Sequence, residues 1–80
     1  MKIPRDIGGP ELAKALARYG YRVTRQTGSH LRLTTPSGGE HHVTIPSHCA
    51  LRAGTLSAIL SEVAQHLKRD KAELIRELWG

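Results

Sequence analysis

The apolar residues of this chain change their spacing twice, and this change limits the folds that the chain can adopt. Before residue 20 they recur with the spacing of a helix, and after residue 55 they do so again. Between residues 21 and 45 they alternate with polar residues, which is typical of strands that bury one face. The sequence therefore predicts the order helix, three strands, helix.

The first helix is predicted over residues 10–19. Pro10 suits the first turn of a helix, where its missing N–H costs nothing. Gly20 suits the left-handed conformation that commonly ends a helix. The apolar face between these two residues is formed by Leu12, Ala13, Leu16 and Ala17.

Two further helices are predicted in the C-terminal third of the chain. Thr55 is a good N-cap for the second helix. The apolar stripe of that helix is formed by Leu56, Ile59, Leu60, Val63 and Leu67. Asp70 and Glu73 resemble a capping box with Asp in place of Ser or Thr, and they predict a short last helix. Its apolar residues are Leu74, Ile75 and Leu78.

Strands are predicted over residues 21–26, 30–35 and 40–45, with a hairpin loop at 36–39. Successive side chains of a strand point to opposite faces of the sheet. The apolar face of the second and third strands then carries Leu31, Leu33, Val43 and Ile45. The polar face carries His30, Arg32, Thr34, His42 and Thr44. His41 has the parity of the apolar face, but it lies at the start of its strand, where a polar side chain can stay in water.

The economical packing of these elements is an antiparallel three-stranded sheet with the helices on one face. The predicted class is therefore α+β, in the order α-β-β-β-α with a short C-terminal helix. Residues 1–8 are expected to form an extended lead-in, and residues 46–54 a loop. The 80 residues contain no linker or repeat, so residues 1–80 are predicted to form a single domain.

The charge of the chain favours a polyanionic partner. Twelve Lys and Arg residues outnumber seven Asp and Glu residues, which gives a net charge of +5. Nucleic acid, an anionic membrane surface and an acidic protein all fit this excess, as does simple solubility. A core without Phe leaves little room for a deep pocket, so a large or flat partner is favoured over a small metabolite.

The histidines and the cysteine do not predict a metal site. The spacing of His41, His42, His48 and Cys49 matches no standard zinc pattern, and no cofactor is expected. Cys49 is the single cysteine, which excludes a disulfide within the chain. The N-terminal residues lack the apolar core of a signal peptide, and no run is long enough to cross a membrane. The expected location is therefore the cytoplasm.

A glycine-serine-histidine turn supplies the main candidate for chemistry. Gly28 permits a tight turn, and the turn delivers His30 onto the polar sheet face. Cleavage of RNA without a metal needs a base for the 2′-hydroxyl, charge stabilisation and a proton for the leaving oxygen. Histidine suits the first or third of these roles, and arginine suits the second. The same alternation is also typical of a sheet face that is polar because it meets water.

Three segments carry a resemblance to a known family. Residues 21–30, YRVTRQTGSH, are similar to the strand-turn-strand of HicA-type toxins, in which an arginine precedes a Gly-Ser-His turn. Residues 41–46, HHVTIP, resemble the third strand of that family. Residues 52–60, RAGTLSAIL, resemble its helix-opening motif. Together these motifs lie within a similarity that spans roughly residues 10–78.

The resemblance implies a double-stranded-RNA-binding-like fold and an mRNA interferase, which is an endoribonuclease, paired with a HicB-type antitoxin. The catalytic histidine of the family falls on His30, and the motif glycine falls on Gly28. Many members carry a second histidine where this chain has Leu31. Strand parity places residue 31 in the core, so this departure is not expected to affect chemistry.

The leading hypothesis is therefore a small metal-independent ribonuclease toxin with His30 as general base or acid. Gly28 and Ser29 would shape the turn. Phosphates would be held by Arg25 and Arg32, with Arg22 and His42 as secondary contacts. The antitoxin would cover the His30 face.

Two other hypotheses remain open. The first is a non-catalytic module that binds double-stranded RNA by shape and phosphate contacts. The second is a pure protein-interaction domain, in which the C-terminal residues Leu74, Ile75, Leu78 and Trp79 form an apolar patch.

Overall fold

The computed structural model describes residues 6–79. Most of the predicted lead-in over residues 1–8 lies outside this range. The elements follow the predicted order. They are α1 (Gly9–Leu16), a 3-10 turn (Ala17–Tyr19), β1 (Arg22–Thr27), β2 (His30–Thr35), β3 (His41–Pro46), α2 (Ala53–Leu67) and α3 (Lys71–Trp79).

The three strands form one antiparallel sheet in the order β1-β2-β3. The pairing of β2 with β3 is regular and runs from His30 opposite Pro46 to Thr35 opposite His41. The prediction of an α+β fold with a three-stranded antiparallel sheet is confirmed.

The core lies between one face of this sheet and the helices. The sheet contributes the four residues predicted from alternation: Leu31, Leu33, Val43 and Ile45. The helices contribute Leu12, Leu16, Leu56, Leu60, Val63, Leu74 and Ile75. Leu78 and Trp79 are partly buried and pack against this cluster. The C-terminal apolar residues therefore belong to the core, and they do not form the separate patch that a protein-interaction domain would need.

The first strand departs from simple alternation. It begins at Arg22, and a register shift between Val23 and Arg25 leaves Thr24 as an extra residue against β2. Tyr21, placed in the strand by the sequence, precedes it and is 1% exposed, whereas Val23 is 49% exposed. Every residue of β1 is exposed, whereas β3, the other edge strand, buries Val43 and Ile45.

The predicted start of the second helix was wrong by three residues. The N-cap is Arg52, not Thr55, and the Leu56 N–H donates to the Arg52 carbonyl over 2.9 Å. The chain is already anchored just before this point, because the Leu51 N–H donates to the Ile7 carbonyl over 2.8 Å. Buried Leu51 therefore holds the backbone where the helix begins, and no side-chain cap is needed.

The last helix, α3, is capped as predicted, and its C-terminal half contacts the 3-10 turn that follows α1. The Glu73 N–H donates to Asp70 Oδ2 over 3.3 Å. At the other end, Tyr19 Oη donates to Glu77 Oε1 over 2.6 Å, and Arg69 also pairs with the Glu77 carboxylate. The Tyr19 hydrogen bond and the nearby arginines hold the pKa of Glu77 below its usual value. Desolvation, together with Glu77, raises the pKa of Tyr19 to about 12.

The start of α1 packs directly on the segment that follows β3. The Gly9 N–H donates to the His48 carbonyl over 3.0 Å. A Cβ added at Gly9 would lie 2.0 Å from the Pro46 carbonyl oxygen, and one at Gly8 would lie 2.7 Å from the Cys49 carbonyl oxygen. Both contacts are to backbone, so only glycine permits this approach.

We therefore expect Gly9→Ala to destabilise the fold by about 3 kcal/mol, because the new methyl group forces the two backbones apart. Gly54→Ala is the matched control, since a Cβ at Gly54 meets nothing within 4 Å. In a helix the control is expected to stabilise by about 0.5–1 kcal/mol. Urea unfolding of both variants measures the difference, and equal effects would contradict the close-approach argument.

Candidate functional site

The sheet face away from the helices is exposed, and we call it the open face. Residues directly opposite each other on neighbouring strands share a face. The register therefore gives the open face three rows that run across the strands. These rows are Thr27, His30 and Pro46; Arg25, Arg32 and Thr44; and Arg22, Thr34 and His42.

The Gly28-Ser29 turn places His30 at the edge of this face. Gly28 has a φ of +51°, a conformation that side chains with a Cβ rarely adopt. His30 is the first residue of β2 and is exposed. Ser29 Oγ lies 3.4 Å from His30 Nδ1, which is a weak contact. The backbone of Ser29 is held more firmly, because its carbonyl accepts from the Ser47 N–H over 2.7 Å.

The bulge in β1 brings three arginines to the open face. Strict alternation would place Arg22 and Arg25 on opposite faces, but the extra residue Thr24 reverses the parity between them. Arg25 lies directly opposite Arg32, and all three side chains are exposed. Two like charges in such positions destabilise a sheet pair. An anion bound between them relieves that repulsion, so this pair favours a phosphate ligand.

His42 lies on the same face but is already engaged. Its Nε2 is 2.9 Å from Glu40 Oε2, and its Nδ1 is 2.7 Å from Thr34 Oγ1. Thr34 Oγ1 is in turn 2.8 Å from Thr24 Oγ1. With both ring nitrogens occupied and a carboxylate beside it, His42 is a weaker phosphate ligand than the arginines. Strand spacing also separates it from His30 by about 14 Å, too far to act on the same phosphate.

His41 is largely buried, although the start of a strand allows a polar side chain to stay in water. Its side chain is 20% exposed, and its Nδ1 lies 2.8 Å from Tyr21 Oη. Its ring stacks on that of His66 at 4.2 Å between centroids, because the end of α2 covers this corner of the sheet. Burial raises the pKa of Tyr21 to about 12, with the charge of Glu62 adding to the effect. The core parity of residue 41 was the correct signal.

Two features of this site are not predicted by the sequence. One is the β1 bulge, for which the sequence carries no turn or glycine signal. The other is the hydrogen bond from the Ser47 N–H to the Ser29 carbonyl, which brings the segment after β3 against the Gly28-Ser29 turn. Among residues 6–79, no group of three histidine, cysteine or acidic side chains is arranged to hold a metal ion. Within the same range, no helix combines the length and the apolar character needed to cross a membrane.

The fold and the open face together define a small basic α+β domain with one exposed sheet surface. Comparison with known protein families gives a match to the model described as "HicA toxin of bacterial toxin-antitoxin", over residues 9–65. This match includes α1, the whole sheet and most of α2, and the chain belongs to the HicA toxin family. It is thereby the toxin half of a toxin–antitoxin pair, which implies an antitoxin partner. No curated protein and no solved structure matches the chain.

The two kinds of histidine are expected to differ in their effect on stability. His41→Ala leaves the partly buried Tyr21 hydroxyl without its partner, and should lower the free energy of unfolding by about 1–3 kcal/mol. His30→Ala removes an exposed side chain and should change the free energy of unfolding by less than about 0.5 kcal/mol. Urea unfolding of both variants checks this, and a large loss for His30→Ala would show a structural role.

Proposed function

We propose that this toxin is a metal-independent mRNA interferase, an endoribonuclease that blocks translation in the cytoplasm and is neutralised by a HicB-type antitoxin. The observation that carries the proposal is the position of His30. It is exposed at the start of β2, one row from the opposed pair Arg25 and Arg32. Membership of the toxin family supports the same conclusion.

The open face provides the groups that RNA cleavage needs. His30 takes or gives a proton at the scissile ribose-phosphate, since imidazole exchanges protons near neutral pH. Arg25 and Arg32 hold the phosphate and stabilise the charge that develops on it. Arg22 extends the cationic surface by one more row. A flat, exposed surface of this kind fits an RNA strand better than it fits a small metabolite.

The antitoxin is proposed to bind over the same face. The open face is cationic, with three arginines and His30, so it favours an acidic partner surface. Cover over His30 would exclude RNA from the site. The protein would then be inactive in the complex without any change in its fold.

His30→Ala is expected to abolish RNA cleavage and growth inhibition, because it removes the proton-transfer group while leaving the fold intact. The loss should be at least about 100-fold in rate. The assay is cleavage of a defined RNA by purified protein with EDTA present. Wild-type protein should cut as fast with EDTA as without it.

Gln26→Ala is the matched control for this assay. It lies on β1 beside the turn and pairs with Leu31, on the other side of the sheet. It is expected to cut RNA at the wild-type rate. If wild-type protein binds RNA and leaves it uncut, the proposal is wrong and the non-catalytic RNA-binding module takes its place.

Replacing the arginine pair should weaken RNA binding in a salt-dependent way. The double variant Arg25→Gln, Arg32→Gln loses two phosphate contacts, so the slope of log K against log salt should fall by about 1.4 for single-stranded RNA. Exposed Arg76→Gln on α3 is the charge control and should leave the slope unchanged. Fluorescence anisotropy at several salt concentrations measures the slopes, and equal slopes would remove the open face as the RNA site.

A further inference from the structure

We propose that His48 is the second proton-transfer group of the site, and the proposal rests on the ribonuclease function proposed above. Cleavage at a ribose-phosphate needs both a base and an acid. His30 supplies one of these roles and leaves the other unassigned. The geometry around the Gly28-Ser29 turn points to the residue that fills it.

The pairing of β2 with β3 continues beyond the last residue of β3. The Ser47 N–H donates to the Ser29 carbonyl over 2.7 Å, in step with the His30–Pro46 pair. His48 is the next residue after Ser47, two positions beyond Pro46. Pro46 shares the open face with His30, and side chains alternate, so position 48 returns to that face.

This register makes His30 and His48 diagonal neighbours. Such neighbours have Cα atoms about 7–8 Å apart, within reach of aromatic side chains. Gly28, in the turn that precedes His30, has no side chain, and a Cβ added there would meet nothing within 4 Å. The space at Gly28 is therefore open, at the end of the sheet that carries both histidines. A phosphate seated there would meet both imidazoles.

The backbone at His48 is held in place although it belongs to a loop. Its carbonyl accepts from the Gly9 N–H over 3.0 Å, and Gly8 and Gly9 approach the loop backbone closely. The His48 side chain itself is exposed. A fixed backbone with a free side chain is the arrangement expected of a group that acts on a bound substrate.

The other histidines fit this role less well. His42 lies about 14 Å from His30 by strand spacing and is bound to Glu40 and Thr34. His41 lies at the far end of β3 and is stacked on His66. His66 also contacts two carbonyl oxygens of the hairpin loop, those of Ser37 and Gly39. His48 is the candidate at the His30 end of the sheet.

The step divides the two proton transfers between the two rings. One imidazole removes the proton of the 2′-hydroxyl while the 2′-oxygen attacks phosphorus. The bond from phosphorus to the 5′-oxygen breaks, and the other imidazolium gives that oxygen a proton. The products are a 2′,3′-cyclic phosphate and a 5′-hydroxyl, with no other reactant.

The test measures cleavage of two substrates. The first is an RNA that the wild type cuts, and the second is the same RNA with sulfur in place of the scissile 5′-oxygen. The proteins compared are wild type, His30→Ala, His48→Ala and Cys49→Ala. A thiolate leaves without needing a proton. A variant that lacks the acid therefore regains cleavage activity on the sulfur substrate, whereas a variant that lacks the base does not. We expect His48→Ala to lose at least about 100-fold on normal RNA. Exactly one of the two histidine variants should recover. Cys49→Ala, a change in the same exposed loop, should cut at the wild-type rate.

The outcomes separate the two proposals. If His48→Ala recovers, His48 is the acid, and if His30→Ala recovers, His48 is the base. If the wild type cuts and His48→Ala cuts equally well, or if neither histidine variant recovers, the role of His48 is overturned and the ribonuclease proposal stands. If the wild type does not cut, both proposals fall.

Discussion

The burial of only one sheet face is the constraint on which the rest of this structure depends. A chain of 80 residues has apolar side chains for one thin core, and the helices that supply most of it cover a single face of the sheet. The opposite face must then meet water, and it is free to carry charge. Arg32 and Leu33 are neighbours in the chain, yet the pleat assigns one to the open face and the other to the core.

The exposed histidine and the arginines of the open face are placed there by two local departures from regular structure. The left-handed Gly28 turns the chain so that His30 begins β2 at the edge of the face. The bulge at Thr24 then changes the parity of β1, so that Arg22 and Arg25 lie on the same side. A bulge at a sheet edge is a common way of redirecting a side chain. Without it, one of these two arginines would lie on the helix side.

The His30 end of the sheet is also where the first helix meets the last strand. Gly8 and Gly9 bring α1 against the backbone of residues 46–49, and Ser47 continues the ladder to Ser29. Helix, turn and loop are thereby held together by backbone contacts, in addition to the buried side chains of Ile7, Leu12 and Leu51. Such contacts position groups accurately at low cost in apolar area, which suits a domain with so small a core.

The amino-acid sequence by itself determined the order of the elements, the four core residues of the sheet and the polar face that carries His30, because period and parity are local properties of the chain. The cap of α3 could also be predicted from the sequence, since Asp70 and Glu73 interact within one helical turn. Other features depended on contacts between segments far apart in the chain. The early start of α2 follows from the anchoring of Leu51 to Ile7, and the burial of His41 follows from its contacts with Tyr21 and His66. The approach of Ser47 to the Gly28-Ser29 turn is of the same kind: only the folded sheet brings residues 29 and 47 into register. No local pattern encodes such a pairing, because it is decided by where the third strand ends relative to the second.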